Sequence, residues 1–149
     1  MRIPFQDIRE MNEVILNNLE TKLCSNDTLF FLGDLTFIEE VAESFFERFS
    51  YLKIHFLIGN HDSSGVIKIA KKSCESVSAC LYVTVNDQDV ICTHDPGMFT
   101  DFVFKKTIWY LHGHSHGRLE SINNNYDVGI DNCNYFPVSF RDLLRIKFF

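Results

Sequence analysis

The sequence predicts an α/β fold whose strands run into one polar end, and three observations predict it. Four short apolar runs stop at glycine, aspartate, asparagine or histidine: Leu29-Phe30-Phe31-Leu32 into Gly33-Asp34, Leu57-Ile58 into Gly59-Asn60-His61-Asp62, Val90-Ile91-Cys92 into His94-Asp95-Pro96, and Ile108-Trp109-Tyr110-Leu111 into His112-Gly113-His114-Ser115-His116. Stretches of helical periodicity separate the first runs. Later in the chain, turn signals at Asn86-Asp87 and Asn123-Asn124-Asn125 join strand pairs, as in antiparallel hairpins, so the sheets mix parallel and antiparallel strands. In open α/β sheets ligands bind at the carboxyl ends of the strands, which is where these polar residues fall.

Ile8, Met11, Ile15 and Leu19 recur at helical spacing, with Val14 and Leu16 widening the apolar face, so residues 7–23 read as an amphipathic helix that Asp7 can cap. Asn26-Asp27 is a turn signal, and the unbroken apolar strand at 28–32 suits a sheet covered on both faces. Ile38, Val41, Ala42, Phe45, Phe46 and Phe49 form a second helical face ending near Ser50, with the phenylalanines as its core. A strand at 54–58 and a weakly amphipathic helix at 64–72 follow. Strands at 81–85 and 89–93 flank Asn86-Asp87, a pair that tolerates a tight hairpin turn. Residues 101–106 read as helical or irregular, and 107–111 as a strand. A further hairpin, 118–122 with 126–130 around Asn123-Asn124-Asn125, and a returning strand at 138–140 complete the expectation, and the apolar end 143–149 needs a packing partner.

The 149 residues are the length of a single compact domain, 1–149. Fourteen Lys and Arg against twenty Asp and Glu give a formal charge of -6, so no general basic field exists to hold a nucleic acid backbone. The five cysteines, Cys24, Cys74, Cys80, Cys92 and Cys133, are odd in number and none forms a Cys-x-x-Cys pair, a reduced-compartment pattern. With no apolar leader and no run long enough to span a bilayer, cytoplasmic residence without membrane attachment is the expectation.

The strand ends carry the chemistry. One Asn-His-Asp is weak evidence, because an isolated histidine is ordinarily a hydrogen-bonded structural residue. The combination says more: Asp34 offers two carboxylate oxygens, Asn60 a neutral oxygen, His94 a nitrogen, and His114 and His116, one residue apart, can reach neighbouring metals. A closed structural zinc site ordinarily draws on clustered cysteines, which this chain lacks.

Gly33-Asp34, Gly59-Asn60-His61-Asp62, Thr93-His94 and Gly113-His114-Ser115-His116 resemble, in order, the later motifs of the calcineurin-like metallophosphoesterase family. Met11-Asn12-Glu13, and the stretches Val128-Gly129-Ile130-Asp131 and Tyr135-Phe136-Pro137-Val138-Ser139, look like its compact bacterial and phage-type members. The resemblance implies a four-layer α/β/β/α sandwich with two facing mixed sheets and a dinuclear centre at the strand ends. It implies that Asp34 bridges two ions, that Asn60, His94 and His114 complete one metal, and that His116 ligates the other. His61 matches the histidine that contacts the phosphate and protonates the leaving oxygen, and Asp62 the carboxylate that orients it. The implied reaction is hydrolysis of a small phosphodiester or phosphomonoester by metal-activated hydroxide, with Mn2+ favoured and Fe, Zn2+ or Ni2+ also suited to these donors.

The sequence also departs from the family pattern. The family begins with a strand ending in Asp-x-His, and no such motif precedes Met11; residues 2–5 resemble the segment after that strand. The first strand is therefore missing or altered, one metal site is tight and the other weak or empty, and a new sheet edge invites another strand or a homodimer partner. The alternative function is a catalytically degenerate metal- or phosphate-binding interaction protein. Among other residues, His112 reads as packing or as support for a ligand. Arg118 reads as phosphate-contacting or merely exposed, His55 as structural, Asp95 as supporting the site, Asp131 and Asn132 as turn-fixing, and Cys92 as strand packing.

Overall fold

A computed structural model describes residues 5–99, 105, 107–119 and 124–147. Most of the segment expected at 101–106, and residues 120–122 of the expected second hairpin, lie outside the described residues.

The first half builds a parallel sheet clothed by helices. Helix α1 (Ile8–Lys22) starts at Asp7, whose carboxylate accepts the Glu10 backbone N–H as an N-cap. Strand β1 (Thr28–Phe31), helix α2 (Glu39–Arg48), strand β2 (Lys53–Leu57), helix α3 (Ser64–Ser73) and strand β3 (Ser76–Ser78) follow, and the sheet order is β1-β2-β3 with both pairings parallel. Leu29, Ile54 and Phe56 point from this sheet into a core with Leu19, Ala42, Phe45, Phe46, Val66 and Ala70 of the three helices. Full burial of a residue such as Phe56 contributes about 1.5–3 kcal/mol, so this cluster holds the helices to the sheet.

Ala79 carries the chain from β3 into the second sheet, where β4 (Cys80–Val85) and β5 (Gln88–Thr93) form the expected antiparallel hairpin. Asn86 and Asp87 take positive φ, 49° and 63°, as a two-residue primed turn requires. Strand β6 (Ile108–His112) pairs parallel to β5, and β7 (Asn125–Asp127) parallel to β6. Leu32 and Leu57 meet Val90, Cys92 and Trp109 between the sheets, and Leu143 of helix α4 (Phe140–Lys147) seals that core, with the Phe140 ring 5.0 Å from Trp109. On the opposite face Phe99, from the 3₁₀ turn Pro96–Phe99, packs on Ile91 and Tyr110. The architecture is the four-layer α/β/β/α sandwich, calcineurin-like, with facing three- and four-stranded sheets. Among the described residues β1 is an edge strand and no strand precedes α1.

Three expectations change. The strand expected at 126–130 is Asn125–Asp127, paired in parallel with β6, and among the described residues of the other expected arm Arg118 and Leu119 are not strand. The return at 138–140 is not a strand. Ser139 and Asp142 make a reciprocal capping box, the Asp142 N–H donating to Ser139 Oγ at 3.1 Å and the Ser139 N–H to the Asp142 carboxylate at 3.2 Å, which starts α4 there. The polar three-residue strand β3 is absent from the sequence reading, its alternation being too short to register.

Candidate metal centre

Parallel register brings the polar ends together. In the first sheet Phe31 is opposite Phe56, so Gly33-Asp34 and Gly59-Asn60 emerge side by side. Gly33 has φ +87°, and a Cβ there would lie 2.6 Å from the Gly59 nitrogen and 2.9 Å from His94 Nδ1; a Cβ on Gly59 would strike Asp34. Both glycines are therefore required for the loops to touch. In the second sheet Cys92 is opposite Leu111, and the Gly113 N–H donates to the His94 carbonyl at 3.2 Å, setting His94 beside His114.

Around His94 the donors converge. Its Nδ1 lies 2.7 Å from the Leu32 carbonyl, so that nitrogen carries the proton and Nε2 presents its lone pair. Nε2 stands 3.0 Å from Asn60 Oδ1, 3.1 Å from His114 Nδ1 and 3.2 Å from Asp34 Oδ2. The Nε2 lone pair and the Asp34 carboxylate oxygen are two acceptors facing each other, a repulsion that a positive charge between them relieves. The three separations from Nε2 match those of ligands about 2.0–2.2 Å from one ion, which stand roughly 3 Å apart. Asp34, His94 and His114 form a group whose ligating atoms lie within 4.8 Å of one another, and Asn60 adds the fourth donor. Asp34 (φ 60°) and His114 (φ 62°) adopt left-handed backbone, a strained arrangement for non-glycine residues that the surrounding bonds must hold.

Those bonds come from three aspartates. Asp62, buried, accepts the backbone N–H groups of Asp34 at 2.9 Å, Leu35 at 2.8 Å and Gly59 at 2.8 Å, tying the two strand-end loops to each other. Its carboxylate is thus engaged with backbone. Asp127 accepts Ser115 Oγ–H at 2.5 Å and the Gly117 and Gly129 N–H groups at 2.9 Å each. Burial would raise its carboxyl pKa, but the bonds from Ser115, Gly117 and Gly129 outweigh burial and hold it below the usual range. Asp131 holds His116, with Nδ1 2.5 Å from the carboxylate and the ring 69% exposed.

His116 is not brought into the Asp34–His94–His114 group. The exposed His61 flanks it: its backbone N–H donates to Asp34 Oδ1 at 2.8 Å, and its ring meets Phe37 edge to face at 5.0 Å. A cleft of about 310 Å3 runs past Asn60, His94 and His114, walled also by Ile58, Asp95 and Met98. Asp95 accepts the Gly97 N–H at 2.7 Å and so shapes the turn after β5. His112 is buried with Nδ1 2.9 Å from the Gly113 carbonyl, and His55 lies 2.7 Å from Ser76 Oγ and stacks on Phe30, so both are structural. Burial pushes the Cys92 thiol up to about 12, which disqualifies it as a nucleophile. Phe37, Met98 and the holding role of Asp127 escape the sequence reading, and only the Asp-x-Gly-x-Asp spacing of 127–131 hints at paired carboxylates.

No family model matches the chain. It is 25% identical, over an alignment of 152 positions, to the uncharacterized protein MJ1445 of Methanocaldococcus jannaschii, covering 96% of this chain and 78% of that protein. In fold it is similar to the crystal structure of the protein of unknown function AQ665 from Aquifex aeolicus, with a TM-score of 0.72 and 22% identity over 96% of this chain and 88% of that one. That likeness supports the fold.

Proposed function

We propose that this chain, residues 1–149 taken as one domain, is a calcineurin-like metal-dependent phosphoesterase acting on a small phosphodiester or phosphomonoester. The observation that carries this reading is the convergence of Asn60, His114 and Asp34 donors 3.0–3.2 Å from the His94 Nε2 lone pair, beside the exposed His61. Asp34, Asn60, His94 and His114 would hold the ion, Mn2+ by preference and Fe, Zn2+ or Ni2+ by donor chemistry. When bound, a divalent cation supplies positive charge against the phosphate and lowers the pKa of water.

The chain's own residues do the remainder. His61 is one residue beyond Asn60, and its N–H bond to Asp34 Oδ1 fixes its backbone to the ligand loop. From there the imidazole donates a proton to the departing ester oxygen. Asp62 keeps the two loops in register through its three backbone bonds. His116, its Nδ1 occupied by Asp131, keeps Nε2 for a second and weaker ion. The charge of -6 argues against a nucleic acid substrate, and no described helix is long and apolar enough to cross a membrane. The five cysteines are free, which fits a reducing compartment such as the cytoplasm.

The test is hydrolysis of bis(p-nitrophenyl) phosphate by wild type and His94→Ala, each stripped with chelator and then supplied with manganese. Turnover that needs manganese and is lost in His94→Ala supports the enzyme. Wild type no faster than His94→Ala replaces it with the degenerate metal- or phosphate-binding protein.

A further inference from the structure

Phe37 is 65% exposed, and at 55% and 44% Ile38 and Val41 extend its apolar edge into the start of α2. Single exposed apolar side chains need no explanation. Phe37 differs in its place. Thr36 Oγ accepts the Ile38 N–H at 3.1 Å, turning the chain so that Phe37 projects at the bend, and its ring stands 5.0 Å from His61 at 81°. A proton donor must contact the leaving oxygen, so whatever touches His61 borders the departing group. The loops around the centre, 33–38, 59–63, 94–98 and 113–119, carry one cationic side chain, Arg118, so they offer little to a second phosphate or an anionic leaving group.

Resting on the phosphoesterase reading, we infer that Phe37 is a specificity-determining residue, and that the substrate's leaving alcohol carries an uncharged planar aromatic ring that packs against it. The edge-to-face contact with His61 uses one side of the corner between the two rings and leaves the exposed remainder of Phe37 for the ligand. Aromatic pairs contribute about 0.5–1.5 kcal/mol beyond area burial, which is a preference of roughly 2- to 12-fold over a saturated ring of similar size.

The test compares benzylphosphonate with cyclohexylmethylphosphonate, neither of which can be hydrolysed, by calorimetry on the manganese-loaded protein. Wild type is expected to bind the benzyl compound roughly 2- to 12-fold more tightly. Phe37→Leu should bring that ratio close to one, whereas Tyr82→Leu, which removes an exposed aromatic from β4, should leave it unchanged. Equal binding of both compounds by wild type, no binding of either, or a preference surviving in Phe37→Leu overturns the inference. Turnover of benzyl methyl phosphate and cyclohexylmethyl methyl phosphate separates the two readings. Preferential binding without turnover keeps the aromatic subsite and removes the enzyme, and equal turnover of both esters keeps the enzyme and removes the subsite.

Discussion

Asp62→Ala removes one buried carboxylate and strands three backbone donors, those of Asp34, Leu35 and Gly59, bonded at 2.8–2.9 Å. Hydrogen bonds to a charged group contribute about 1.5–3 kcal/mol each, and the Asp34 and Leu35 bonds, only partly buried, recover some of that from water. The expected loss is about 3–5 kcal/mol, a large share of the roughly 5–15 kcal/mol of a typical domain. Asp62→Asn is the discriminating control. An amide oxygen in the Oδ2 position keeps the bonds from Asp34 and Gly59, while the amide NH2 faces the Leu35 N–H, so about 1–2 kcal/mol should be lost. Urea unfolding in chelator gives both values free of metal linkage. Because the same carboxylate registers Asp34 against the Gly59-Asn60 loop, manganese affinity should fall at least about tenfold in Asp62→Ala. An alanine variant within 1 kcal/mol of wild type, or an asparagine variant as damaged as the alanine one, would refute this account of Asp62.

His61→Ala should leave manganese affinity nearly intact and slow turnover about 10²–10⁴-fold for a diester with a poor leaving group, and less for p-nitrophenolate; equal losses with both would remove the proton-donor role. On the proposed reading that His116 serves a second, weaker ion, Asp131→Asn should weaken that manganese event in a titration by about 10- to 100-fold while sparing the first, because among the described residues the side chain bonded to that carboxylate is His116. Asp127 has a depressed folded carboxyl pKa, so its stabilisation is fully present above the ordinary value of 3.8 and disappears as pH falls through the lower folded value. The stability gap between wild type and Asp127→Asn, followed by urea unfolding, should therefore be constant above pH 5 and close only in stronger acid. A gap that narrows between pH 7 and 5 would assign it to another group.

The elements that the sequence made legible are those with a period or a turn chemistry of their own. The helices over Ile8–Lys22 and Glu39–Arg48 show an apolar stripe, and the β4–β5 hairpin has a two-residue turn needing positive φ. The four convergent donors were legible because each follows an apolar strand at the same chemical boundary, and parallel register carries that into space. Strand β3 was not legible, since Ser-Val-Ser owes its pairing to β2 and not to any pattern of its own. The capping box of Ser139 and Asp142 was present in the sequence, but the β-branched Val138 beside it suggested a strand. Asp62 shows the limit for single residues. Its neighbour His61 suggested a side-chain partner, whereas two of the three backbone donors that hold it, those of Asp34 and Leu35, lie 28 and 27 residues away and meet it only after the sheet forms.

The central claim is that Asp34, Asn60, His94 and His114 hold one divalent ion together, and an anomalous-scattering map of crystals grown with manganese tests it most directly. A peak among these four donors, about 2.0–2.3 Å from each of the two histidine nitrogens and the two side-chain oxygens, is the predicted result. A map with manganese elsewhere on the protein, or with no peak among these donors while His94 Nε2 still faces Asn60 and Asp34, would contradict it.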